Sequence, residues 1–490
     1  MADAPPPEVE VEPSPAADGR VAAVFLRGLG VVYACAFTSL WVQIDGLIGA
    51  QGIAPAADLL ALAREKLGAA APLALPTLLF ATGASDWALH AFCALGLAAA
   101  LLLAGGRAQR SAALVAWAAY LSLTAVGDVF LSFQWDALLL EAGVVAFFAA
   151  SSEPRLGVWL ARALLFKLMF LSGAVKLLSG DSTWRDGSAL AYHYWTQPLP
   201  APTSPLAAAL PLSVQRVSTW LTLAIELGAP WGMLGPRRAR LASAAVLAAL
   251  QLAIAATGNY GFFNLLTGVL CACLLDDRAL ARLSLLRRPR RTPRWRAPQR
   301  VAAAALAAAS LVVALDRLTP RGLPGALVSL VEPLERLRAV SAYGLFAVMT
   351  TERPEIEIEG SADGVEWRPY VFRWKAGALD RAPRFAGPHM PRVDWQMWFA
   401  ALGSCQREAW FQRFLLRLLQ GSKPVTRLLA SDPFPDAPPR YLRTTLWQYR
   451  FATGEERRAG AWWTRTAEGP YCPVVTLRSG HLALADDLPR

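Results

Sequence analysis

"WALHAFCALGLAAALLLAGG", residues 87–106, decides the class of fold. Crossing about 30 Å of hydrocarbon takes about 20 mostly apolar residues, and only a helix or a closed barrel satisfies its own backbone there. This run holds no Asp, Glu, Lys or Arg, so it reads as a membrane-spanning helix. Composition agrees: the chain is 55% hydrophobic and 17% charged, whereas soluble chains carry about 25% charged residues.

Outward from that run, similar candidates lie at approximately 24–43, 111–130, 135–151, 157–178, 217–235, 241–257, 261–275 and 300–316, giving about nine spans in all. Those at 135–151 and 261–275 are short and also suit buried or partly inserted helices. The stretch 55–83 is amphipathic around Arg64, Glu65 and Lys66, a pattern for a helix lying at the membrane surface. Residues 1–20, acidic and Pro-rich, are expected to be disordered. They lack a signal peptide's basic start and small-residue cleavage site, so the first apolar run is expected to remain as an anchor.

Lys and Arg in short loops resist translocation. With the N-terminus in the cytoplasm, one set of connections collects two (Arg107, Arg110), two (Arg155, Arg162), three (Arg237, Arg238, Arg240) and, in the tract 278–300, nine basic residues. The other set holds Arg64, Lys66, Arg185 and Arg216. The net charge of +11 thus reads as orientation signal rather than a nucleic-acid surface. It places 180–216 and everything beyond about 320 on the outer or lumenal side.

Beyond 320 the pattern changes. Ile356 and Ile358 alternate with Glu355, Glu357 and Glu359, "SADG" makes a turn, and Trp367, Tyr370 and Phe372 follow, a half-buried hairpin signal. A helix is expected over 394–420, capped by Asp394 and ended at Gly421, with strands at 425–430, 441–452 and 471–477. The expected architecture is an α-helical polytopic membrane bundle over 21–319 followed by an extramembrane α+β domain over 320–490.

Several polar groups stand where hydrocarbon penalises them. Lys167 and Lys176 lie in "LLFKLMFLSGAVKLLSG", residues 164–180, and a charge at membrane depth costs several kcal/mol unless it snorkels or is paired. Nine residues apart, they fall on opposite helix faces. Lys176, nearer the outer end, is expected to snorkel; Glu141 and Glu226 are candidate partners for Lys167. The following loop crowds Asp181, Trp184, Arg185, Asp186 and His193 and is expected to fold over the bundle mouth, as a structural cap more readily than a catalytic centre. Trp395, Trp398, Trp410 and Phe411 are candidate client-binding residues, although most should face the domain's own core. If that domain meets an oxidising space, Cys405 and Cys472 are a candidate disulfide. No nucleophile elbow, phosphate loop or metal motif occurs, so no metal and no cofactor is expected.

"LFKLMFLSGAVKLLSGDSTWRDGSALAYHYWTQPLP" (165–200), "TGNYGFFNLLT" (257–267), "YGLFAVMTTERPEIEIEGSADGVEW" (343–367), "GPHMPRVDWQMWFAAL" (387–402) and "PFPDAPPRYLRTTLWQYRF" (433–451) together resemble the lipase maturation factor family. The resemblance implies a multi-pass membrane protein, not itself an enzyme, that helps client proteins such as homodimeric lipases reach their active assembly. Clients would be engaged through residues 343–450, in the endoplasmic reticulum of a eukaryote or at the cytoplasmic membrane of a bacterium. A second likeness, of "KLLSGDSTWRDGSAL" (176–190) to vitamin-K-dependent-carboxylase-like membrane proteins, implies an alternative. That alternative is a membrane enzyme for an amphiphilic substrate, with Lys167 or Lys176 as base beside Glu141, Glu226, Asp181 and His193.

Overall fold

The computed structural model describes residues 18–151, 153–281 and 296–486. Most of the acidic tail and of the 278–300 arginine tract lies outside the described residues. Each apolar run forms a helix: α1 (Gly19–Trp41), α3 (Asp86–Ala104), α4 (Gln109–Ala125), α5 (Gln134–Ala149), α6 (Pro154–Leu178), α9 (Leu212–Gly232), α10 (Arg237–Thr257), α11 (Phe263–Ala272) and α12 (Arg296–Leu318). By length and composition five of these suffice to cross a membrane, namely α1, α3, α6, α10 and α12. The amphipathic helix α2 (Ala56–Leu67) keeps Arg64, Glu65 and Lys66 exposed. The loop after α6 folds into α7 (Ser182–Asp186) and α8 (Ala189–Thr196).

Small residues let the helices close on one another. A Cβ on Gly30 of α1 would stand 2.3 Å from the backbone nitrogen of Ala104 on α3, so only glycine permits that approach.

The two ends of the bundle differ. At one, Arg20 donates to Asp277, Arg162 donates to the Cys273 and Leu275 carbonyls, Arg237 pairs with Asp276 and Arg300 pairs with Glu153. At the other, His90 meets Asp45, and the backbone nitrogen of Ala50 donates to Asp86.

The C-terminal region packs on this second end. After α13 (Gly325–Arg336) it forms an antiparallel sheet in the order β2 (Arg368–Pro369), β1 (Pro354–Ser361), β3 (Tyr441–Phe451), β4 (Trp463–Arg478), β5 (His481–Leu484), covered by α14 (Arg392–Leu402) and α15 (Ala409–Leu419). The expected hairpin is present, Glu359 standing opposite Pro369. The single helix expected over 394–420 is instead α14 and α15. Gly403 ends α14, and a disulfide joins Cys405, in the break, to Cys472 of β4. Nor does Asp394 cap a helix end: within the first turn of α14, its carboxylate accepts the backbone N–H groups of Trp374 and Lys375. No strand forms at 425–430. A helical turn, Lys423–Thr426, stands there, started by Pro424, whose fixed φ suits a first helical turn.

Glu355, which the alternation assigns to the wet face, is 2% exposed. It lies between Arg353 (2.7 Å) and Lys375 (2.8 Å), so two cations replace the water it gives up.

Bundle and domain share one hydrophobic core. Tyr33, Phe37 and Leu138 of the helices belong to the same buried cluster as Ile356, Met397, Phe411 and Val475 of the domain. Gly46 marks how close they come, since a Cβ there would lie 2.5 Å from the Pro424 carbonyl.

Candidate functional site

The polar residues of the membrane helices resolve into two separate pairs on opposite faces of α6. Lys167 Nζ donates to Glu141 Oε1 (2.5 Å) and to Ser310 Oγ (2.7 Å), while Tyr343 Oη donates to Glu141 Oε2 (2.6 Å). This cluster ties α5, α6, α12 and the approach to the C-terminal domain together. Lys176 Nζ donates to both oxygens of Glu226 at 2.6 Å and sits 5.0 Å from the Trp184 ring centroid. Two expectations are corrected here. Glu226 serves Lys176 rather than Lys167, and Lys176 does not snorkel, because its side chain is buried against that carboxylate. Each lysine nitrogen lies within hydrogen-bond distance of a carboxylate, an arrangement that suits a structural brace.

The mouth beyond Lys176 is closed by the 180–200 loop. Asp181 caps α7, accepting from the Thr183 backbone at 2.8 Å, and also accepts from Met349 N (2.5 Å). Trp184 Nε1 donates to the Phe346 carbonyl (2.9 Å). Arg185 and Asp186 stay exposed and outside the cluster; Asp186 accepts from Ser188 N, and those local hydrogen bonds hold its carboxyl below the usual range. Tyr260 gives its one hydroxyl proton to Gln197 Oε1 (2.9 Å). His193 Nε2–H therefore donates to Tyr260 Oη (2.9 Å), which leaves His193 Nδ1 as a bare acceptor, buried without a partner. A cavity of about 540 Å³ opens beneath, reached by Lys176, Glu226, His193, Trp184 and Tyr260.

The aromatics offered as candidate client contacts, most of them expected to face the domain's own core, are buried. Trp395, Trp398, Trp410 and Phe411 are all at most 7% exposed. Trp395 meets Trp135 edge to face at 5.0 Å, Trp398 Nε1 donates to the Thr196 carbonyl (2.7 Å), Trp410 packs on Phe130 (5.6 Å) and Phe411 on Tyr471 (5.4 Å). An apolar helical face buries wherever it finds apolar surface, and here much of that surface is the bundle itself.

One fully buried contact between the two regions is not anticipated from the sequence. Arg392 and Asp136, both with fully buried side chains, form a bidentate pair at 2.7 and 2.8 Å. Arg392 also donates to the Phe130 carbonyl (2.6 Å), and Tyr120 Oη donates to Asp136 (2.5 Å). Asp136 lies in the first turn of α5, where the helix dipole favours a carboxylate. The signal was available, since Asp136 is an acid inside an apolar run. Three smaller clasps assist. Arg353 donates to the carbonyls of Trp195, Gln197 and Pro198, Asn259 bridges Leu199 and Pro200 to Arg384 and Ala386, and Gln43 bonds Met390 and Arg392.

His389 hydrogen-bonds Ser39 at this junction (3.0 Å). Burial, with Arg392 and Arg373 adding, pushes it down to about 4; burial, with Lys176 adding, pushes His193 down to about 3. An unfolded histidine titrates near pH ~6.5, so below that pH the unfolded chain binds more protons than the folded one. Stability is thus fully present above about pH 6.5 and is lost as the pH falls toward about 4. Thermal unfolding in detergent between pH 7.5 and 4.5 checks this, and a midpoint that holds steady over that range would refute it.

Comparison with known proteins bears on both regions. Residues 20–282 match the lipase maturation factor transmembrane domain, and residues 339–473 match the lipase maturation factor C-terminal domain. The chain is similar to lipase maturation factor 2 of Homo sapiens, 36% identical over 93% of this chain and 82% of the relative. It is 34% identical to the Rattus norvegicus protein of that name, over 93% and 83%, and 31% identical to lipase maturation factor 1 of Bos taurus, over 92% and 88%. No solved structure gives a significant match. With both of its regions matched in order, the chain belongs to the lipase maturation factor family.

Proposed function

We propose that this protein is a membrane-held maturation factor that assists the folding and assembly of client proteins, homodimeric lipases among them, through its C-terminal domain. The observation that carries the reading is the clasp between the two regions. Arg392 and Asp136 join the family's C-terminal domain to one end of its membrane domain, which supports its presentation as a platform at the membrane surface. A client subunit held there is kept from aggregating while its partner arrives.

The basic residues support the side on which this happens. Arg20, Arg162, Arg237 and Arg300 engage partners at the bundle end opposite the domain, as expected if that end stays cytoplasmic. The domain then faces the lumen of the endoplasmic reticulum in a eukaryotic cell, or the periplasm in a bacterial one. The test is secretion of a homodimeric lipase from cells lacking such a factor, with and without the full chain. Active dimer is expected to rise with the chain present, and lipase to be co-isolated with it in mild detergent. Unchanged dimer yield, with no lipase co-isolated, would end the proposal.

A further inference from the structure

The cavity at the mouth of the bundle has a composition that selects a ligand. Its body is apolar, walled by Met169 of α6, Leu221 and Ile225 of α9, Leu250 and Ile254 of α10 and Phe346 of the roof. Among the wall residues, Leu221 is 56% and Val246 is 40% exposed. They lie on the outer faces of α9 and α10, so the cavity is open toward the acyl chains around the bundle. At its polar end the wall carries one cation and one anion, Lys176 and Glu226, bonded to each other. His193 beside them stays neutral, because burial and Lys176 oppose its protonation.

We infer that this cavity binds an uncharged, single-chain amphiphile with a hydroxyl head, of the monoacylglycerol or long-chain alcohol class, taken laterally from the membrane. The pairing of Lys176 with Glu226 excludes charged heads. An anionic head would have to draw Lys176 away and leave Glu226 unpaired, and a cationic head would do the reverse; either costs several kcal/mol in this setting. The hydroxyl follows from His193. Its Nδ1 is the one side-chain polar atom of the wall, among the described residues, that is buried without a partner, an acceptor that a hydroxyl donor would satisfy. At about 540 Å³ the cavity lies within the range of small-molecule sites, about 300–1,000 Å³, which suits one chain with a small head.

The test uses the full chain in phosphatidylcholine vesicles and a monoacylglycerol bearing a photoreactive diazirine on its chain. Two control probes share the chain, one with both hydroxyls acetylated and one the corresponding free fatty acid. The monoacylglycerol is expected to label α9, α10 or residues 345–349, with a preference of about tenfold over the acetylated probe, as one hydrogen bond to a buried acceptor supplies. Ala249→Trp fills the opening from α10 without touching the polar wall groups and is expected to cut labelling about tenfold. His193→Phe is expected to remove the preference between hydroxylated and acetylated probes. If His193→Phe folds poorly, Ala249→Trp decides alone. Equal labelling by both glycerol probes, stronger labelling by the fatty acid, or labelling untouched by Ala249→Trp each overturns the assignment. Lipase maturation is read separately, so loss of this inference leaves the proposed function standing.

Discussion

Arg392→Met is expected to destabilise the folded protein by about 3–5 kcal/mol, the cost of breaking a buried ion pair from one side. The variant strands Asp136, which has no solvent to turn to, and removes the donors that Arg392 gives to the Phe130 carbonyl and to Asp136. Among the described residues, Tyr120 is the side-chain donor that remains to the carboxylate. Removing both charges, as in Asp136→Leu with Arg392→Met, leaves no orphan and is expected to recover most of the loss, because a buried pair replaced by apolar groups is often neutral. The readout is the half-life at elevated temperature in detergent, which suits a protein that unfolds irreversibly. A single variant as long-lived as the parent, or a double variant no better than the single, would show that this pair does not hold the domain to the bundle.

How much of this was legible in the sequence depends on which physical rule each residue obeys. The apolar helices were legible because the cost of leaving backbone groups unpaired in hydrocarbon is paid locally, within one run such as 87–106. The same reasoning flagged Lys167 and Lys176, since a buried charge needs a partner wherever it sits. It did not choose the partners. Helix phase gives the face of α6 on which a lysine lies, but which helix covers that face is set by the whole packing, so the sequence offers both Glu141 and Glu226 to Lys167 and only the fold gives Glu226 to Lys176. The candidate client aromatics meet a related limit. A face carrying Trp410, Phe411 and Phe414 looks alike in sequence whether it meets a partner or the chain's own bundle, and only the fold brings Phe130 against Trp410. The break between α14 and α15 was marked by Gly403, but periodicity across 394–420 concealed it.

Lys167→Met separates a brace from a base. As a brace, Lys167 neutralises Glu141 and ties α6 to α12 through Ser310, while Glu141 reaches on to Tyr343 at the approach to the C-terminal domain. Removing the lysine leaves an unpaired carboxylate among α5, α6 and α12, with an expected cost of about 3–5 kcal/mol and a steep fall in protein level. Adding Glu141→Gln removes the orphan charge and keeps an oxygen to accept from Tyr343, so abundance is expected to return to within about twofold of the parent, most of the destabilisation being cancelled. Lipase maturation, measured per molecule of factor, is expected to match the parent in that double variant. A catalytic lysine predicts the opposite: the double variant would accumulate normally and do nothing, because no rearrangement of charge replaces an amine that takes a proton. Normal abundance with lost maturation would therefore overturn the brace and return Lys167 to the list of reacting groups.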